Sequence, residues 1–293
     1  MVVWHHALGQ VPGMTDFIRL PEFGPYGVDV FFAISGFIMV VTTQRPITGL
    51  RFIGLRIVRV VPLYWMATLA MVGLAHAFPG AFKTLRFDAA SVVKSLLFIP
   101  YDSLAAPGNV WPVLIPGWTL NFEMFFYALF ALALYLPCWR QPVLLGVLAA
   151  LVAVGAVWHG SPAAWVYTNP RLLEFGIGMC LAWGWIRGGA RGRCFDSVVL
   201  CELGNASYSI YLTHLFTLGA LRIAWVRLVP AVSLPSTLAF MGVALSVASL
   251  AGWLCYRLIE RPLTTRLQAT LRRSGDSRPS ASLSAALSPL RRA

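Results

Sequence analysis

The chain has 293 residues, of which 58% are hydrophobic and only 12% charged, with a mean hydropathy of +0.72 and a formal net charge of +12. A soluble domain carries about 25% charged residues, so a soluble globular fold is excluded, and the basic excess reads as the positive-inside asymmetry of a membrane protein rather than a nucleic-acid footprint. The Cys residues at 138, 180, 194, 201 and 255 are scattered without a CxxC, and no His stands at metal spacing, which excludes a disulfide framework and a zinc site.

Charge is missing from whole segments: no Asp, Glu, Lys or Arg occurs at 60–82 or at 228–256. A span needs about 20 mostly apolar residues. That measure predicts a partial first span ending near residue 8, then spans near 27–44, 60–79, 112–136, 142–160, 165–186, 203–221 and 233–256. The apolar piece Val92–Pro100 is too short to cross and reads as interfacial or re-entrant. The expected fold is an all-α polytopic transmembrane helix bundle of about eight to ten spans, the first of them truncated. One membrane domain is expected over 1–264. A disordered, basic cytoplasmic tail near anionic lipid is expected over 265–293, where six Arg accompany one Asp. Counting crossings puts the loops 45–59 and 187–198 and the tail on the cytoplasmic side, where Arg is concentrated. Loops 9–26, 80–111 and 222–232 then face outward, although Lys83, Arg86, Lys94, Arg222 and Arg227 lie in them.

The first residues, Met1 to Leu8, lack the basic region of a signal peptide and read as the second half of a span, so the chain is expected to begin partway through it. His5 and His6 stand at its outward end. An imidazole there is either an interfacial residue or a general base, since its ordinary pKa of about 6.5 lets it take a proton from a hydroxyl near neutral pH. Asp29 heads the second span after Gly24-Pro25; the helix dipole accounts for it as well as a site does. Gly27 and Gly36 allow close helix packing.

Arg56 and Arg59 share a helix face at i, i+3 spacing and suit a phosphate, although the positive-inside rule explains them equally. Thr119, Glu123 and Tyr127, four apart, form a polar stripe on an apolar helix. A carboxylate at bilayer depth costs several kcal/mol without a partner, so Glu123 reads as functional or as a structural hydrogen-bonded group. Arg171 and Glu174 are expected to neutralise each other. Ser207, Tyr211 and His214 follow i, i+4, i+7 spacing, which suits a site or interhelical hydrogen bonds equally.

Taken in order, these segments resemble the membrane-bound acyltransferase-3 family, and within it the exopolysaccharide O-acetyltransferases. The resemblance is carried by Trp4-His5-His6-Ala7, Gly27 to Phe37, Arg56 to Tyr64, Gly117-Trp118-Thr119-Leu120 through Glu123 and Tyr127, Arg171 to Gly178, Leu203 to His214, and Glu260-Arg261-Pro262.

The resemblance implies a multi-pass enzyme of the bacterial inner membrane. It would move an acyl group, usually acetyl from acetyl-CoA, to a glycan hydroxyl. Acyl-CoA is then a co-substrate and a glycan the acceptor, among membrane lipids, with no permanently bound cofactor and no nucleic acid. The family's essential His falls on His6, and its pair of Arg on Arg56 and Arg59, toward the donor. The family's Arg that precedes this His would fall upstream of Met1. Glu123 is expected to orient the base or the acceptor. Asp29, Trp118, Tyr127, Tyr208 and His214 are expected in the acceptor pocket or in structural roles. The alternatives are a flippase for a lipid-linked sugar, for which an inverted repeat is not found, and a non-catalytic subunit of a polysaccharide export machine.

Overall fold

A computed structural model of the chain describes residues 1–18, 23–82, 84–136, 138–158, 160–188, 198–229 and 231–276. The described residues are helices and connections, with no strand among them. The helices are α1 (Val2–Leu8), α2 (Phe23–Thr42), α3 (Gly49–Ala77), α4 (Ala89–Leu96), α5 (Gly117–Ala133) and α6 (Arg140–Val154). They continue with α7 (Pro162–Tyr167), α8 (Leu172–Arg187), α9 (Val198–Leu228), α10 (Leu234–Cys255), a π-helical turn (Tyr256–Glu260) and α11 (Arg261–Asp276). Among the described residues, three helices have the length and apolar composition to cross a membrane: Gly49–Ala77, Cys201–Leu228 and Leu234–Leu271. Shorter apolar helices stand beside them over Tyr26–Thr42 and Arg140–Val154. The fold is that of a polytopic helical membrane protein.

Several boundaries differ from expectation, each for a local reason. Thr48 accepts a hydrogen bond from the Arg51 amide at 3.3 Å and starts α3 at Gly49, so Arg51, Arg56 and Arg59 ride on a helix rather than in a loop. Hydropathy stops at the first charges, but Arg is a good helix former and its long stem covers apolar surface. The expected span 165–186 is broken between α7 and α8 at Thr168-Asn169-Pro170-Arg171. Pro170 has no amide hydrogen to continue the ladder, and Asn169 Oδ1 accepts from the Arg171 amide at 3.0 Å. The expected span 203–221 extends over all of α9. The unfolded tail expected from Thr265 is corrected over 265–276, which belong to α11; Leu271 comes within 3.7 Å of the place a Cβ on Gly54 would take. The remainder of that tail, and the basic positions Arg191 and Arg193, lie outside the described residues.

Two packing modes hold the bundle. α2 and α8 run parallel in backbone contact: a Cβ on Gly36 would stand 2.0 Å from the Phe175 carbonyl oxygen, and one on Gly178 1.8 Å from that of Ala33. Small residues are what lets membrane helices approach this closely. Around this seam the rings of Phe32 and Phe126 stack on Phe175 at 4.6 and 4.3 Å. α3 and α5 run antiparallel: Gly49 meets Ala131, Phe52 meets Phe130, and Tyr64 meets Gly117. The alternating directions give the bundle two ends. One carries Arg56, Arg59 and Arg140, and the other carries His6, Asp29 and Arg171.

Candidate active site

At the histidine end, α1 lays His6 against α9. The rings of His6 and His214 lie 5.1 Å apart between centroids, with His5 edge-on to His6 at 5.5 Å. His214 is fully buried. Its Nδ1 bonds the Tyr211 carbonyl one turn back. A carbonyl only accepts, so Nδ1 carries the proton and, in the neutral ring, Nε2 holds the free lone pair. That Nε2 is buried and has no hydrogen-bond partner among the described residues. The two imidazoles, far apart in sequence, thus form one pair.

The Tyr211 hydroxyl ties this pair to α5. It donates to the Pro116 carbonyl at 2.9 Å and lies 2.8 Å from Thr119 Oγ1. Thr119 begins the stripe read from the sequence, and the next two members follow it down the helix. Glu123 is 4% exposed; its Oε1 accepts from Ser35 at 3.2 Å and from the Tyr127 hydroxyl, while its Oε2 is buried without a partner. A buried carboxylate oxygen without a donor is costly. Such an atom in a native fold calls for an explanation, a ligand among them.

Below Tyr127 comes the arginine end. The Arg56 guanidinium lies over the rings of Phe52 and Tyr127 at 5.3 and 5.8 Å. Its Nε is buried without a partner, and it forms no ion pair among the described residues. Arg59, one turn on, borders a cavity of about 270 Å³ with Asn205, Glu260, Arg261, Thr264 and Gln268. Glu260 ends the π-helical turn and accepts from the Ser209 hydroxyl at 2.6 Å. A π-helical turn is uncommon and frequent at functional sites.

The remaining expected residues sort differently. Asp29 pairs with Arg171, whose Nε lies 3.4 Å from Asp29 Oδ1. The expected Arg171–Glu174 neutralisation is corrected accordingly: the ion pair that Arg171 forms is with Asp29 of another helix, and Glu174 stands near both charges. The Arg171 guanidinium also lies 5.7 Å from the Trp118 ring centre, so Trp118 belongs to this cluster rather than to the imidazoles. Tyr208 spends its hydroxyl on the Val60 carbonyl at 2.8 Å, joining α9 to α3. Ser207 is exposed and takes no part in the stripe with Tyr211 and His214. Ser35, Ser209 and Glu260 received no role from the sequence. Each lies in a segment that carries the family resemblance, which was the signal that could have found them.

Comparison with known proteins agrees with a group-transfer site. The family profile described as "Acyltransferase domain" matches residues 1–183. The Exopolysaccharide production protein ExoZ of Rhizobium meliloti (strain 1021) is 37% identical over 297 residues, an alignment covering 84% of this chain and 91% of that protein. No solved structure matches.

Proposed function

Since this chain belongs to the membrane-bound acyltransferase-3 family, we propose that this acyltransferase moves an acetyl group from acetyl-CoA to a hydroxyl of an exported polysaccharide in the bacterial inner membrane. The donor binds at the arginine end, in the cytoplasm, where Arg56 and Arg59 meet its phosphates. Forked guanidinium groups suit that partner better than point charges do. The glycan reaches the opposite end. His6 takes the proton of a sugar hydroxyl as the oxygen attacks the thioester carbonyl. The O–C bond forms, the C–S bond breaks, and the CoA sulfur leaves and is reprotonated. His214 lies against His6 and keeps its Nε2 lone pair available to the same reaction. Glu123, Tyr127 and Ser35 orient the groups between the two ends.

The observation that carries this reading is a line of groups, each in contact with the next except Glu123 and Thr119, which stand one turn apart on α5. It runs from Arg56 over Tyr127 to Glu123, up the stripe to Thr119, across to Tyr211 and on to His214 and His6. Three of its buried polar atoms, Arg56 Nε, Glu123 Oε2 and His214 Nε2, have no partner among the described residues. The test is acetyl transfer to the exopolysaccharide by purified protein in lipid vesicles. General-base assistance is worth about 10²–10⁴-fold, and the His6→Ala variant is expected to lose that much. Undiminished transfer would overturn the role of His6.

A further inference from the structure

The outward loop between α3 and α5 carries basic residues that membrane topology does not explain. The positive-inside rule concentrates Arg and Lys on the other side. Yet Arg86 lies in this loop and Lys94 on its short helix α4. Arg86 borders a cavity of about 370 Å³, and Lys94 lies behind one of its lining rings. Arg86 lines it, together with Thr84, Tyr101, Ser103 and Trp111. The Lys94 ammonium lies 5.9 Å from the Tyr101 ring centre.

The loop around this cavity is built rather than slack. Asp88 caps α4 through the Ser91 amide at 2.7 Å. Ser95 Oγ accepts from the Val113 amide at 3.0 Å and lies 2.9 Å from the Tyr101 hydroxyl. Trp65 Nε1 donates to the Leu96 carbonyl at 2.8 Å and hangs α4 on α3. Phe98 holds a left-handed φ of 57°, a conformation non-glycine residues rarely take, and its ring stacks on Tyr64 at 5.0 Å. Such strain persists where the surroundings over-determine it, which is common at ligand sites.

The cavity lies on the histidine side of the bundle: Gln10, four residues after His6, and Leu215, next in sequence to His214, are among its lining residues, although neither imidazole lines it. Aromatic faces beside hydroxyls and a forked cation suit a sugar that bears a carboxylate. We infer that this cavity is the acceptor subsite and that it selects a glycan with an acidic substituent or uronic acid, held by Arg86 with Lys94 behind Tyr101. This rests on the reading of the histidine end as the acceptor side.

The test uses full-length protein in nanodiscs and oligosaccharides released from the producing cell's own exopolysaccharide, O-deacetylated. These are used intact and after chemical reduction of their carboxyl groups. Binding is measured without donor, and acetyl transfer separately. A hydrogen bond to a charged group implies about tenfold weaker binding of the intact oligosaccharide by Arg86→Gln, and the same rise in KM. The reduced oligosaccharide should bind wild type and variant alike. Arg227→Gln, in the last turn of α9, controls for general loss of charge. The inference is overturned if the oligosaccharide contains no carboxyl group, if reduction leaves binding unchanged, or if Arg86→Gln weakens both forms equally. Binding that depends on Arg86 without any transfer from acetyl-CoA would sink the proposed reaction and leave the subsite standing.

Discussion

Arg171 and Arg56 are two guanidinium groups set into the same bundle, and the protein treats them in opposite ways. Arg171 lies 3.4 Å from Asp29, over the Trp118 ring, with Glu174 near both charges. Its charge is spent holding α8 to α2. Arg56 has two aromatic rings beneath it, no ion pair among the described residues, and a buried Nε with no partner. Burying charge without compensation is expensive, so a cation left open in this way among the described residues suits the anionic donor proposed for it. The same contrast separates Tyr208, tied to a backbone carbonyl, from His214, whose Nε2 has no partner among the described residues. Other buried groups, such as Glu174 Oε2 and Thr237 Oγ1, are also open among the described residues, so what singles out Arg56, Glu123 and His214 is that their open atoms lie along one line through the bundle.

The comparison can be broken at several points. Removing the open cations should do most harm to donor use. Arg56→Ala and Arg59→Ala are each expected to raise KM for acetyl-CoA about ten- to hundredfold, the worth of a hydrogen bond to a charged group. Arg56→Lys should recover only part of this, because the fork is lost. Donor dependence identical to wild type would assign both residues to membrane topology instead.

Next comes the seam that holds the scaffold. Gly178→Ala places a methyl 1.8 Å from the Ala33 carbonyl oxygen, whereas Gly146→Ala meets nothing within 4 Å. Overpacking costs about 1–3 kcal/mol, so thermal unfolding in detergent should fall clearly for the first and stay near wild type for the second. Equal melting points would mean that α2 and α8 are not in backbone contact.

The satisfied pair should matter least. A double-mutant cycle with Asp29→Asn and Arg171→Gln, read by thermal unfolding, should give a coupling of about 1 kcal/mol or less, as half-exposed ion pairs do. A coupling of several kcal/mol would mean that this cluster carries the bundle.

Much of this was legible before any fold was seen. The apolar runs gave the helical membrane architecture and its three long helices, because lipid demands internally bonded backbone, but not the break inside 165–186. The i, i+4 stripe of Thr119, Glu123 and Tyr127 gave one face of α5, because helical periodicity is local. The rest depends on which helices meet. No spacing tells that His6 lies against His214, that Ser35 reaches Glu123, or that Arg171 chooses Asp29 over Glu174 on its own helix. The start of α3 was misplaced because hydropathy registers charge and overlooks the hydrogen bond from the Arg51 amide to Thr48.

The central claim is that donor and acceptor meet from opposite ends of one bundle, and sidedness tests it most directly. Protein reconstituted in a single orientation in sealed vesicles would receive labelled acetyl-CoA on one side and the polysaccharide on the other. The account predicts transfer only when acetyl-CoA is on the side of Arg56 and Arg59 and the glycan on the side of His6. Transfer only when both substrates share one side would contradict it.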